Sequence, residues 1–153
     1  MEHPVAREVI RNGKNPEWFR IRNDDIEFRD AVRTARKSVG TFIAALQRPS
    51  AKQRDFEVKK PFVQDTEVEH IWLSGVTFSG NRFHGRVDNR PVKFKGLKMG
   101  ELVSVNPDEI TDWAYVDNGD LVGGYTIRLL HKELSPERRK ELENESRFHI
   151  TNQ

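Results

Sequence analysis

The hydrophobic period of this chain changes once, at a proline. Before Pro49, apolar residues recur every three or four positions: Phe28, Ala31, Val32, Ala35, Val39, Phe42, Ile43 and Leu46. Such steps place one apolar stripe on one face of an α-helix. Asp24 is a good N-cap, and Glu27 three residues later completes a capping box that satisfies otherwise unpaired N–H groups. Pro49 has no N–H to give and pushes residue 48 out of helical geometry, so the spacing predicts one helix of about 24 residues. Ahead of it, Asn12-Gly13-Lys14-Asn15-Pro16 reads as a turn, and Trp18, Phe19 and Ile21 as a short apolar anchor.

After a linker over 49–54 the period is two. Phe56, Val58 and Phe62 alternate with charged residues, a half-buried strand broken at Pro61. Val68 to Phe78 is the longest strand-like run, and Ser79-Gly80-Asn81 turns it into Arg82–Val87. Short strands are expected at Val92–Phe94, Glu101–Val105 and Ile110–Val116. Asn118-Gly119 is the strongest turn, because both residues readily take the positive φ of a two-residue hairpin. Leu121 to Leu130 is read as the returning strand, with Gly123-Gly124 a bulge or a point of close approach. Ser135-Pro136 starts a C-terminal helix that is polar to Asn144 and expected to be exposed.

Composition narrows the class. With no cysteine there is no disulfide framework, thiolate metal site or cysteine nucleophile. No run approaches the roughly 18 apolar residues of a membrane span, and the mixed charges of Met1 to Arg20 do not read as a secretory signal. A cytoplasmic location is expected. The formal charge of +2 hides an asymmetry: residues 1–60 hold 14 Lys+Arg against 9 Asp+Glu, and residues 61–130 hold 7 against 10. An excess of that size can hold an acidic partner or bind phosphate backbones weakly, but it is short of the dense one-signed patches of nucleic-acid readers, and a solvated surface is the plainer reading.

The chemistry-bearing residues are few. His3, His70, His84, His131 and His149 lie at no metal-ligand spacing, and His70, Glu69 and Asp112 would need three coincidences to form a site. Gly96 to Gly100 lacks the Lys-Ser/Thr of a phosphate loop. Neither metal nor cofactor is expected. What remains is a polar–aromatic set. On an extended strand His70 and Trp72 share one face, while Glu69, Ile71 and Leu73 share the other. Trp113 and Tyr115 share a face of a second strand beside Asp112, and Tyr125 and Arg128 are read onto a third. If the strands are neighbours, Glu69, His70, Trp72, Asp112, Trp113, Tyr115, Tyr125 and Arg128 form a candidate pocket. In the catalytic reading His70 is a general base oriented by Asp112, with Arg128 holding an anion. In the structural reading His70 joins an internal network, Asp112 ties a hairpin, and Trp72 and Trp113 fill the core. A second feature is the basic helix face of Arg29, Arg33, Arg36 and Lys37, partly offset by Asp25, Glu27 and Asp30.

Several motifs follow one another in a recognisable order. They are Phe56-Glu57-Val58-Lys59-Lys60-Pro61-Phe62, Glu69-His70-Ile71-Trp72-Leu73 and Phe83-His84-Gly85-Arg86-Val87-Asp88-Asn89-Arg90-Pro91. Lys98-Met99-Gly100-Glu101-Leu102-Val103, Ile110-Thr111-Asp112-Trp113-Ala114-Tyr115 and Gly123-Gly124-Tyr125-Thr126-Ile127-Arg128 follow. Over residues 30–130 this set resembles the uncharacterised bacterial family typified by YegJ. The resemblance implies a bacterial or phage origin and carries over no activity and no catalytic residue. The N-terminal 25 residues and the C-terminal helix read as additions to it.

The expected fold is α+β. Five to seven antiparallel strands form a strongly curled sheet or an SH3-like barrel, with the N-terminal amphipathic helix packed on it and a short polar helix at the C-terminus. The division is an extension over 1–23, one domain over 24–130, and a helix and tail over 131–153. The expected function is a non-catalytic binding protein whose target is another protein, for example in immunity or toxin neutralisation. The alternatives are a small hydrolase using His70 and Asp112, and weak nucleic-acid binding through the basic helix face.

Overall fold

A computed structural model describes residues 26–92, 94 and 96–151. Asp24, the turn over 12–16 and the Trp18–Ile21 anchor lie outside the described residues. The elements are α1 (Ile26–Lys37), α2 (Val39–Gln47), β1 (Gln53–Gln64), β2 (Glu67–Ser79), β3 (Arg82–Val87), β4 (Leu102–Val105), β5 (Asp112–Asp117), β6 (Asp120–Gly123), α3 (Tyr125–Glu133) and α4 (Pro136–Ser146). The strands form one sheet in the order β4-β3-β2-β1-β5-β6, every pair antiparallel. The fold is α+β as expected. The sheet is open, with β4 and β6 at its ends, so it does not close into a barrel.

The single long helix is two. Its break is at Ser38, whose hydroxyl donates to the Thr34 carbonyl (2.7 Å) and accepts from the Trp113 indole (3.2 Å). A serine that turns its hydroxyl back onto the preceding turn bends a helix. The apolar stripe survives the bend: Ala35 and Phe42 are both fully buried.

Pro61 does not interrupt β1. Lys59 gives its carbonyl to Thr111 N–H on the β5 side, and antiparallel residues alternate in the side they address. The Pro61 nitrogen therefore faces the same side, beyond the last β1–β5 pair, Lys59 with Asp112. No ladder bond is lost there. Val92 and Phe94 do not make a strand. Their N–H groups go instead to the Glu69 carboxylate, at 2.6 and 2.9 Å.

Two cores lie on the two faces of the sheet. On one face Phe42 meets Val58, Ile71, Leu73, Phe83, Trp113 and Tyr115. On the other, Trp72, Ala114, Val116 and Leu121 meet Ile127, Leu130, Leu134, Leu142 and Phe148. The second core explains why 125–133 is a helix and not the continuation of β6. Ile127, Leu130 and Leu134 fall at three- and four-residue steps and face the sheet, whereas a strand would turn half of them to water. Gly123 and Gly124, with φ of +72° and +65°, swing the chain off the sheet into α3. The close approach expected at this pair is realised: a Cβ on Gly123 would stand 2.5 Å from the Trp113 ring.

The C-terminal helix starts as its sequence dictates, with the Ser135 hydroxyl accepting from Arg138 N–H and Pro136 in the first turn. It is not exposed all round, because Leu142 is 2% exposed and packs in the second core. Beyond it, Leu121 N–H donates to the His149 carbonyl (2.9 Å) and His149 N–H to the Gly119 carbonyl (2.8 Å). The tail thereby pairs, in parallel, with the start of β6.

Candidate functional site

Register on β1 decides which candidates meet. Lys59 stands opposite Trp72 on β2 and opposite Asp112 on β5. Residues directly opposite share a face, so Trp72, Lys59 and Asp112 form one row, with His70 two residues along β2 on the same side. Val58 stands opposite Leu73 and Trp113, which puts Trp113, Tyr115 and Glu69 on the other side. The sheet itself divides the candidate residues.

Asp112 is at the centre of the first group and has no exposed surface. Its Oδ1 accepts from the N–H groups of Trp113 (2.9 Å) and Tyr125 (3.1 Å), and its Oδ2 from Thr126 N–H (2.9 Å) and the Thr126 hydroxyl. Tyr125 and Thr126 are the first two residues of α3, so a carboxylate caps the positive end of that helix. Four donors converge on these two oxygens, the pattern of an ionised carboxylate. Lys59 completes the group. Its Nζ donates to the Thr126 hydroxyl (2.8 Å) and lies 5.2 Å from the Trp72 ring and 5.8 Å from the Phe28 ring. Burial lowers Lys59 to about 8, against the opposing pull of Asp112. Burial likewise raises Asp112, while Lys59 and the bonds from Thr126 and Trp113 draw it back.

His70 does not meet Asp112, whose described hydrogen bonds all go to Trp113, Tyr125 and Thr126. Its Nδ1 lies 3.1 Å from the Thr111 hydroxyl, and its ring stands edge-on to Phe28 with centroids 5.0 Å apart. Burial first, then the Lys59 and Arg36 cations, lowers His70 to about 3 from its ordinary 6.5. As pH falls, the unfolded chain takes up this proton first. The stabilisation is therefore complete above pH 6.5 and is lost as pH falls toward 3. His70→Gln keeps a partner for Thr111 and removes the titration. Between pH 7 and pH 4 the wild type is expected to lose about 3 kcal/mol relative to this variant in urea unfolding. An equal response of the two proteins to pH would contradict a half-buried His70 held neutral.

On the opposite face the Trp113 indole donates to the Ala35 carbonyl (3.0 Å) and the Ser38 hydroxyl (3.2 Å). Tyr115 stacks on Phe56 at 4.9 Å, and Phe42 packs beside both Trp113 and Tyr115. Tyr125 bridges the two groups: its N–H serves Asp112, while its ring stands edge-on to Trp113 at 5.7 Å and its hydroxyl meets Ser38 Oγ at 3.2 Å. Tyr125 and Arg128 lie on α3, not on a strand. Arg128 holds backbone carbonyls, those of Gly123 (2.9 Å), Leu121 (2.9 Å) and Thr151 (2.7 Å), and so fastens β6 to the tail. Glu69 organises the loop after β3 through Val92 and Phe94.

The basic helix face is partly engaged. Arg36 Nε donates to the Ile110 carbonyl (2.8 Å), and Arg33 pairs with Asp30 at 3.0 Å on the surface. Arg29 and Lys37 are exposed. Among the described residues no three His, Asp or Glu side chains gather as metal ligands would.

Lys59, Thr126 and Thr111 are members of the network that sequence reading passed over. The signal for Lys59 was parity: Val58 must point into one core, so Lys59 must point across the sheet toward the side of Trp72. A lysine between two cores reads as a solvated residue unless both faces are known to be covered. Asn89 was passed over too; its Oδ1 accepts from Trp72 N–H at 2.7 Å and ties the loop to β2.

Comparison with known proteins agrees with the motif order. The chain is 34% identical to "Uncharacterized protein YegJ" of Escherichia coli (strain K12) over 98 residues, 64% of this chain and 63% of that one. It is 38% identical to "Putative ankyrin repeat protein NMB1133/NMB1171" of Neisseria meningitidis serogroup B (strain ATCC BAA-335 / MC58) over 88 residues, 55% of this chain and 35% of that one. The chain thus spans less than two thirds of the length of either relative. No solved structure matches. The helix over 136–146, read from the sequence as an addition, falls within the span of the family model, which covers residues 25–149. On that match the chain belongs to the family described as "Uncharacterized protein conserved in bacteria (DUF2314)".

Proposed function

We propose that this protein is a non-catalytic binding protein whose target is another protein, in an inhibitory or toxin-neutralising role. One observation carries the reading: the groups suited to acid–base chemistry are spent on the fold. Asp112 caps α3, Lys59 is held by Thr126 between two aromatic rings, and His70 is kept neutral beside Thr111. A general base needs a proton to take within hydrogen-bond reach and a pKa near the working pH, and His70 is far from the second condition. The name of the Neisseria relative lends further support, since repeat arrays of the ankyrin kind present extended binding surfaces.

Affinity capture from a bacterial lysate at low and high salt, read by mass spectrometry, tests this. The comparison is a variant with Arg29, Arg33 and Lys37 changed to Ala. Retention of one protein at both salts by both baits is expected, because a packed interface is less salt-sensitive than phosphate contacts. Recovery of nucleic acid that disappears in high salt or with the variant would replace the proposal with the basic-face reading.

A further inference from the structure

The segment after α3 is fastened to the sheet by few apolar side chains. Within α4 Leu142 is the one buried residue, and Phe148 joins it in the second core just beyond the helix. The other ties are polar. Ile150 N–H donates to Glu143 Oε1 (2.9 Å), Arg128 reaches the Thr151 carbonyl (2.7 Å), and Arg54 donates to the Arg147 carbonyl. Together they seat His149 against the start of β6, where the Leu121 N–H and the Gly119 carbonyl would otherwise stand open at a sheet edge. A segment with so little buried apolar surface opens at a lower free energy than the strands it covers.

His131 sits in the last turn of α3, against this segment. Its side chain is 19% exposed, and its Nε2 is enclosed with no hydrogen-bond partner among the described residues. The charged groups that face it are Glu143 and Arg139 of α4 and Arg128 of α3 itself. Glu143 Oε2 lies 3.8 Å away, beyond hydrogen-bond reach, while the other oxygen of that carboxylate is committed to Ile150. Arg139 already caps the end of α3, its guanidinium donating to the His131 and Lys132 carbonyls at 2.8 and 2.7 Å. A proton on His131 would put a second, partly desolvated cation beside the one that α4 has brought. Burial is the largest cause of a lowered His131, ahead of the opposing pull of Glu143. Detaching α4 gives the ring to water and takes Arg139 away with it. The open form therefore binds the proton more tightly. The closed form has its full advantage above pH 6.5 and loses it as pH falls below that value.

We propose that α4 and the tail form a clasp over the β6 edge that opens on acidification, with His131 as its proton sensor. Opening frees the Leu121 N–H and the Gly119 carbonyl, and uncovers the part of the second core that Leu142 and Phe148 fill. The clasp does not depend on the protein-binding role.

Hydrogen exchange of the full chain at pH 7.5 and pH 5, corrected for the intrinsic dependence of exchange on pH, reads opening residue by residue. The Leu121 and His149 amides are expected to be less protected than those of β1 and β2, the mark of a local opening. In the wild type their opening should rise at least about threefold more between the two pH values than in His131→Gln, which keeps a polar side chain and removes the titration. Protection of Leu121 and His149 equal to that of β1 and β2, or the same response to pH in both proteins, would overturn the clasp. Should His131→Gln already stand open at pH 7.5, the wild-type His131 ring decides by its own titration in NMR spectra. A midpoint below 6.5 is expected, and a midpoint at or above 6.5 would overturn its role as sensor.

Discussion

Replacing Asp112 with Ala is expected to lower the free energy of unfolding by about 4 kcal/mol, a large part of what a domain of this size has to lose. Two separate penalties combine. The N–H groups of Trp113, Tyr125 and Thr126 lose their acceptor at a site with no exposed surface, and the cation of Lys59 loses its counter-charge. Each buried group left unsatisfied costs about 1–3 kcal/mol. A double-mutant cycle separates the parts. Lys59→Met keeps the stem packed between Trp72 and Phe28 and removes the charge. Alone it should cost about 2 kcal/mol, because Asp112 keeps its four donors but loses the neighbouring cation, and combined with Asp112→Ala it should cost about 2 kcal/mol less than the sum of the two single changes. Chemical denaturation gives all three values. Strict additivity would mean that Lys59 and Asp112 do not act as a unit.

The second large effect is expected at Gly123. A methyl group there meets two carbons of the Trp113 ring and the Trp113 carbonyl, each at 2.5 Å, in a backbone with φ of +72°. The left-handed conformation alone costs a side chain about 1–2 kcal/mol, and overpacking of a filled core adds about 1–3. Gly123→Ala should therefore destabilise by about 4 kcal/mol. Gly75 is the matched control, since its φ is +59° but nothing lies within 4 Å of its would-be Cβ. Gly75→Ala should cost only about 1 kcal/mol. Equal urea midpoint shifts for the two would show that backbone conformation, and not contact with Trp113, governs this corner.

How legible these features were in the sequence depended on how local their causes are. The Asn118-Gly119 turn follows from two residues, and both have positive φ, +51° and +87°. Ser135-Pro136 marks a helix start for reasons confined to its first turn. Strand parity placed Trp72 with His70 and apart from Ile71 and Leu73, because alternation needs no knowledge of neighbours. The failures share the opposite property. Tyr125-Thr126-Ile127 is rich in β-formers, and only a second core behind the sheet makes the spacing of Ile127, Leu130 and Leu134 decisive. Pro61 reads as a strand breaker until β5 is known to end beside Lys59. The candidate residues are divided between two faces for a reason of strand order: β1 lies between β2 and β5, and Lys59 on β1 stands between Trp72 and Asp112.

In the function proposed above, the His70–Lys59–Asp112 region maintains the fold and the protein works through its surface. His70→Gln tests it most directly, because Gln can keep the bond to Thr111 and cannot act as a base near neutral pH. The measurement is the lysate capture repeated at pH 7 with this variant, alongside the wild type and with unfolding curves for both. The same retained protein in the same amount is expected. A folded His70→Gln variant that has lost its partner, or a small-molecule turnover by the wild type that this change abolishes, would contradict it.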